Sequence, residues 1–569
     1  MASPVTPQAE ESVDYIVIGA GTAGCVLAAR LSENPDYRVC LIEAGGSERH
    51  PFIHIPAAVG AAIMSQRFGW GLATTPQMAL NGRRVPLPRG RVLGGSGSIN
   101  GMAYYRGNAR DFDDWTAAGN TGWSYADLLP YFLRAEDNPA YAGSPYHQVG
   151  GPMRVSFMPR TNPLCKAFNA AMADLGFPHC EDFNVPEPEG YGFRQGTIDA
   201  GRRVSTASAY LRPALRRSNL RVLQHVLARR IVFEGNRAVG VEIQAEDGIR
   251  MLRATREIVL SAGAFHSPHL LLQSGVGDRR QLAEAGIAPV HHLPGVGTNL
   301  RDHPATCIAL DTSDSTSYGL SWKTLPRSLW NGVEYLAMRR GPLASNLFET
   351  NAYIRSRVGL DRPDMQVVFQ PARRNTRPFP LPLGHGFALS LVCLYPASAG
   401  TVRVSSADPL SAPLIDPALG TERADIDTLI RGLQLARRIV AHAAFAGYRA
   451  WERLPGPEVT DNAALEDYVR DTLATVHHPG CSCRMGNDTL AVVNAELKVH
   501  GLGGLRVADA SIYPSLVGGN TNASVVAIAE KAADMLLSRP APAPLTALRQ
   551  SRKPRQQQEE RRQQEEESP

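Results

Sequence analysis

Gly19, Gly21 and Gly24 punctuate the join between an apolar run, Tyr15 to Ile18, and an apolar helical stretch, Cys25 to Leu31. GxGxxG spacing between a strand and a helix suits a dinucleotide. Gly19 makes the tight turn, Gly21 lets backbone approach a pyrophosphate, and Gly24 allows the helix to pack close. The helix N-terminus then offers N–H groups and the positive end of its dipole to the phosphates. Glu43 ends the next apolar stretch, where a carboxylate can accept from both hydroxyls of an adenosine ribose and disfavours a 2′-phosphate. By themselves these residues suit NAD as well as FAD.

Further along, Gly94, Gly95 and Gly97 allow backbone to lie against a flat ring, and the Asn100 amide both donates and accepts. Taken alone, this stretch reads either as a planar-ligand site or as a turn that serves the fold. Among the 15 histidines, His478 precedes Pro479 in a loop rich in Gly and Cys. Histidine titrates near neutral pH and suits general base catalysis, but such a loop, read alone, is more often structural. Cys481 and Cys483 supply at most two thiolates and no second pair stands at a ligand spacing, so no metal site is expected. Asp509 ends the strand-like run LRVAD and suits either a ligand contact or a strand-end cap.

Three longer segments point to one family. PRGRVLGGSGSINGMAYYRGNARDFDDW, from Pro88 to Trp115, is similar to the first signature of the glucose-methanol-choline (GMC) oxidoreductases. GAFHSPHLLLQSGVG, from Gly263 to Gly277, resembles the second, with Ser267-Pro268 expected to break a strand-like run before a helix from His269 to Gln273. GLRVADASIYPSLVGGNTNASVVAIAEKAADML, from Gly504 to Leu536, resembles the carboxy-terminal block. The resemblance covers most of the chain and implies an FAD-dependent oxidoreductase acting on CH–OH donors. It extends the loop's contacts to Gly19, Gly21, Thr22, Ala23 and Gly24, with Glu43 at the ribose and Ala44 beside it in the chain as a further cofactor contact. It implies further FAD contacts from Arg91, Val92, Gly94, Gly95, Ser98, Asn100, Gly101, Met102 and Ala103, from Val226 through its backbone, and from Ala262, Gly263, Asp509, Ala510, Asn520 and Thr521. Members with covalently attached FAD carry a histidine where this chain has Ile99, so the FAD is expected to be non-covalent.

VHHPGCSCRMG, from Val476 to Gly486, resembles the family motif whose histidine lines the flavin. The match assigns His478 as the base facing the alcohol and Asn520 as the hydrogen bond that orients the hydroxyl; Cys483 matches a cysteine common in that motif. LPGVGTNLRDHPATC, from Leu293 to Cys307, resembles another family block, but choline-acting members carry a glutamate at the place of Ala305. A cation there needs that carboxylate or an aromatic cage, whose residues the sequence does not place, so a neutral primary alcohol is expected over choline. The expected reaction is oxidation of that alcohol to an aldehyde by hydride transfer to the flavin, with a quinone-type or other acceptor taking the electrons. An oxidase using oxygen is the close alternative; a lyase or photodecarboxylase of the same fold, or an NAD-dependent dehydrogenase, fits less well.

The elements that must position these residues form a βαβ unit from Asp14 to Glu43, then short β-branched runs at Arg221 to Val226, Ala238 to Ile243 and Glu257 to Leu260, with a further strand at Met365 to Phe369. The expected fold is α/β, α+β overall: a Rossmann-like FAD-binding domain with an inserted substrate-binding domain built on an antiparallel sheet flanked by helices. Residues 12–155, 200–305 and 465–540 make the first domain, 156–199 and 306–464 the second, and 541–569, rich in Pro, Gln and charge, a disordered tail. At 569 residues more than one core is needed. Phe369 to Phe387, with Arg373, Arg374 and Arg377, reads equally as a cavity entrance or a solvated loop. The composition, 43% hydrophobic and 20% charged with no apolar run long enough to span a bilayer, excludes a membrane span. A net charge of +5 without basic clusters interleaved with aromatics makes nucleic acid a poor partner. The 8 cysteines are too sparse for a disulfide scaffold, and with no signal-peptide pattern at the start the expected location is cytoplasmic, peripheral attachment to the inner membrane face remaining open.

Overall fold

The computed structural model describes residues 11–374 and 383–545. The strand Glu11–Ile18 pairs in parallel with Val39–Ile42 on one side and with Gly248–Leu260 on the other. Parallel strands covered on both faces read as continuous apolar runs, and Val39–Ile42 is buried at every position. Leu220–Leu223 extends the sheet beyond Val39–Ile42, while Arg237–Ala245 and Leu227–Glu234 extend it antiparallel beyond Gly248–Leu260. Leu505–Val507 runs parallel to the end of that long strand and so brings the carboxy-terminal block beside the nucleotide loop. The run expected at Glu257 to Leu260 is thus the end of a longer strand, whose first half pairs with Arg237–Ala245.

The helix Thr22–Leu31 packs on this sheet, and Asn522–Leu536 packs against that helix. The second is buried nearly all round, which places it inside the domain. Its Glu530 is fully buried but paired with Arg30 at 2.9 Å and Arg134 at 2.9 Å. The helix expected to begin at His269 starts earlier and spans Gly263–Gln273 with Pro268 inside it. Proline removes the N–H that would bond the carbonyl four residues back, and the Ser482 hydroxyl donates to that carbonyl, Ala264 O, at 2.5 Å. The CSC loop thereby replaces the missing helical bond.

A second sheet is antiparallel throughout, in the order Ala450–Leu454, Pro304–Thr312, Gly386–Cys393, Met365–Gln370, Thr350–Ile354 and Gly190–Phe193. Ala474–Thr475, just before His478, also pairs with Pro304–Thr312. Side chains alternate across such strands. Met365, Val367, Phe369, Leu389 and Leu391 enter a core shared with the helix Arg423–Val440. Gln366, Val368, Gln370, Ser390 and Val392 face a cavity on the other side.

Among the described residues no helix is long and apolar enough to cross a membrane. All eight cysteines are buried and none forms a disulfide. Of the expected tail, residues 546–569 lie outside the described residues; Leu545 donates its N–H to Ala126 O at 3.1 Å.

Candidate active site

Three backbone segments meet at the nucleotide loop more closely than side chains permit. Gly19 has φ +94°, and a Cβ there would lie 2.7 Å from Ser261 O. A Cβ on Gly24 would stand 1.9 Å from Gly19 O, and one on Gly95 2.7 Å from Gly21 Cα. The helix Thr22–Leu31 starts at Gly21 with no capping side chain and no acidic residue in its first turn. Asn522–Leu536 likewise starts uncapped at Thr521. Both helix N-termini open onto one cavity of about 760 Å³, which runs to the inner face of the second sheet.

Of the expected contacts, Gly19, Gly21, Thr22, Ala23, Glu43, Ala44, Arg91, Gly95, Asn100, Gly101, Met102, Ala103, Val226, Ala262, Gly263, Asp509, Ala510, Asn520 and Thr521 line this cavity, as does Ile99. Gly24, Val92, Gly94 and Ser98 do not line it. Gly24 supplies helix-to-loop packing, Val92 pairs with Gly46, and Ser98 Oγ donates to Leu93 O at 2.6 Å under Gly94. These four shape the wall from behind. Asp509 reaches the cavity but its oxygens accept from Gly263 N at 2.8 Å, Ser267 Oγ at 2.5 Å and Ser511 N at 2.8 Å, so it caps the strand end as well. Glu43 accepts from Ala20 N at 2.9 Å and Gly45 N at 2.8 Å, which fixes both oxygens at the cavity wall. Burial outweighs those bonds and pushes its carboxyl up to about 7. The Val226 N–H donates to Glu43 O at 3.0 Å. Arg374 lines the cavity, whereas Arg373 turns to Asp311 at 2.8 Å; Arg377 lies outside the described residues.

At the far end of the cavity Asn520 Nδ2 sits 3.0 Å from His478 Nε2. The other ring nitrogen, Nδ1, is 3.1 Å from His303 Nδ1. Asp302 Oδ1 anchors this group by accepting from the His478 N–H at 2.7 Å and the His303 N–H at 2.8 Å. Burial holds the His478 imidazole well below its ordinary value, helped by His303, His477 and the guanidinium groups of Arg89 and Arg194. His478 is therefore neutral at pH 7, the form a base requires. With the amide set so that Nδ2 donates, Nε2 is the acceptor nitrogen and the Asn520 Oδ1 has no partner among the described residues. His477, with φ +67°, also lines the cavity, and its carbonyl accepts from Arg89 Nη2 at 2.7 Å. Cys481 and Cys483 are buried, and burial pushes the Cys481 thiol up to about 12. Both are protonated packing groups.

His303, Asp302 and Arg89 carry no role in the sequence reading. The signal was present as Asp302-His303-Pro304 in the Leu293 to Cys307 block, read there only for Ala305. Arg194 and the row Gln366, Val368 and Gln370 had no motif to reveal them.

The cavity fits FAD on its own features: two uncapped helix ends for anionic groups, glycine backbone where a flat ring must approach, and a carboxylate held at the nucleotide end. The N- and C-terminal domains that define GMC oxidoreductases match residues 13–305 and 396–529. The chain belongs to this family. It is 39% identical to an oxygen-dependent choline dehydrogenase of Photobacterium profundum, over 92% of this chain and 93% of that protein. An alcohol dehydrogenase [acceptor] of Pseudomonas putida is also 39% identical, over 92% of this chain and 96% of its own. Among solved structures, pyridoxine 4-oxidase from Mesorbium loti superposes with TM-score 0.83 at 34% identity, over 93% of this chain and 100% of that one. Formate oxidase of Aspergillus oryzae RIB40 superposes with TM-score 0.86 at 26% identity, over 94% and 99%. This GMC oxidoreductase is thus an FAD-dependent enzyme acting on CH–OH donors, with a Rossmann-like FAD-binding fold and a second, antiparallel sheet.

Proposed function

We propose that this chain oxidises a primary alcohol to the aldehyde, with His478 as base, Asn520 as the orienting hydrogen bond and non-covalent FAD in the cavity. The observation that carries this reading is the 3.0 Å approach of Asn520 Nδ2 to His478 Nε2 beside the cavity. An alcohol oxygen entering there gives its proton to Nε2 and takes an N–H from Asn520. Bound FAD supplies the hydride acceptor. Glu43, Asn100, Gly101 to Ala103, Val226 and Thr521 would hold the FAD within the parallel-sheet domain, and the antiparallel-sheet segments would hold the alcohol. Ile99 supports non-covalent attachment because its side chain has no nucleophile. Ala305 leaves the wall without the glutamate that choline-acting members of the family carry there, which disfavours choline.

A quinone-type acceptor at a membrane surface is supported by the helix Leu325–Met338 and the turn before it. Trp322, Leu329, Trp330, Val333 and Leu336 are 55–90% exposed. Lys323, Arg327, Arg339 and Arg340 surround them with only Glu334 of opposite sign in that stretch. Apolar and aromatic groups ringed by cations match an anionic lipid surface. The protein should co-sediment with vesicles containing phosphatidylglycerol, and Trp330→Asp with Leu329→Asp should abolish this; equal binding by the double variant would exclude the helix.

Purified protein should be yellow and release FAD on acid precipitation. Anaerobic addition of primary alcohols should bleach the flavin, and a soluble quinone should restore it faster than air. Prompt stoichiometric peroxide in air would favour the oxidase reading suggested by the names of several relatives. A flavin that no alcohol reduces would remove the proposal.

A further inference from the structure

One buried arginine in the cavity has no hydrogen bond at either terminal nitrogen among the described residues. Arg194 follows the strand Gly190–Phe193 at the edge of the second sheet and lines the cavity while only 8% exposed. Its Nε donates to Phe348 O at 2.6 Å, and its guanidinium lies 5.6 Å from the Phe348 ring. Neither terminal nitrogen makes a hydrogen bond, and no carboxylate lies within ion-pairing distance, among the described residues. The fully buried Arg106, in contrast, is paired with Glu136 at 2.8 Å. Arg203, also buried, is occupied by Ile53 O at 2.8 Å and Asn100 Oδ1 at 2.8 Å. Arg194 remains charged at neutral pH, burial lowering it only to about 10. A buried cation costs free energy unless something pairs with it.

The sign of the whole cavity agrees. Its acidic lining residues are Glu43 and Asp509, both at the nucleotide end and both already bonded to backbone N–H groups. The substrate end holds Arg194 and Arg374 with amides and hydroxyls, Gln366, Gln370 and Ser390, and no carboxylate. Arg194 and His478 line the same cavity, so one molecule whose hydroxyl meets His478 can extend to Arg194.

We infer that Arg194 is a substrate-recognition residue and that the alcohol this enzyme prefers carries a carboxylate, the group that completes the ion pair. Planar guanidinium matches a carboxylate with two parallel N–H···O bonds, here from Arg194 Nη1 and Nη2. The inference rests on the reading of His478 and Asn520 as the alcohol end of the cavity.

The test uses the FAD-loaded enzyme and anaerobic flavin reduction by ω-hydroxy acids of three to eight carbons, each against the unsubstituted alkanol of equal length, with choline in parallel. The best hydroxy acid should exceed its alkanol in kcat/KM by on the order of ten- to a hundredfold, as a charged hydrogen-bonded pair is worth. Arg194→Gln should collapse that ratio, mainly through KM, and Arg194→Lys should restore part of it. Non-reacting alkanoates of the same lengths should perturb the flavin spectrum of the wild type at lower concentration than of Arg194→Gln. A wild-type ratio at or below one, or a ratio unchanged in Arg194→Gln, overturns the assignment of Arg194 while alcohol oxidation stands. Failure of every alcohol to reduce the flavin overturns the underlying reading instead.

Discussion

The two ends of the cavity are built in different ways. At the nucleotide end a single stretch, Gly19 to Gly24, supplies the turn, the close approach and the open helix N-terminus, and backbone atoms do most of the work. At the reaction end, His478, Asn520, His303 and Arg194 come from four separate stretches and act through side chains. Backbone recognition constrains residue type at every step of a short motif. Side-chain recognition needs only that each group arrive, and leaves the residues between them free.

The comparison is broken most severely at Gly24. Gly24→Val puts side-chain atoms where even a Cβ would stand 1.9 Å from Gly19 O. The expected cost is roughly 3 kcal/mol of stability with loss of bound flavin, seen as a colourless protein and a lowered melting midpoint. A yellow variant of normal stability would mean that the loop relaxes without harm.

His478→Ala should do the opposite. FAD stays bound, while flavin reduction by alcohol slows on the order of a hundredfold to ten-thousandfold in a stopped-flow experiment. Near-normal reduction would move the base elsewhere.

The pH profile sharpens the same end. Because the His478 imidazole is held well below 6.5, its neutral form persists as pH falls past that value. Reduction by a fixed alcohol should therefore stay flat between about pH 8 and 6 and decline only in stronger acid. An acid limb centred at or above 6.5 would contradict the burial of the ring. Folded-state stability follows the same sign: a histidine buried neutral lowers stability progressively as pH drops below its unfolded value.

His303→Phe should give the smallest effect, about five- to tenfold on flavin reduction, the worth of the one hydrogen bond between the two Nδ1 atoms. A loss as large as that of His478→Ala would make His303 part of the proton path.

The strand, turn and helix around Gly19 and Gly21, and the strand before Glu43, were legible from the spacing of glycines and apolar runs. Gly24, Val92, Gly94 and Ser98 were read as contacts but lie behind the wall, because a motif gives position along the chain and not depth. The helix Gly263–Gln273 was read short because Pro268 normally interrupts a helix, and only Ser482, far along the chain, supplies the missing bond. Arg194 was invisible because an arginine's meaning depends on what fails to stand beside it.

The sequence by itself determined the glycine loop between strand and helix and, through the resemblance, the family, and it pointed to Glu43, His478 and Asn520 as candidate site residues. These depend on residue types at fixed local spacing. Tertiary structure alone decided that His303 backs His478, that every second residue of Met365–Gln370 faces the cavity, and that Arg194 stands there with neither terminal nitrogen hydrogen-bonded among the described residues. Each of these depends on distances between segments remote in the chain and on what burial removes from water.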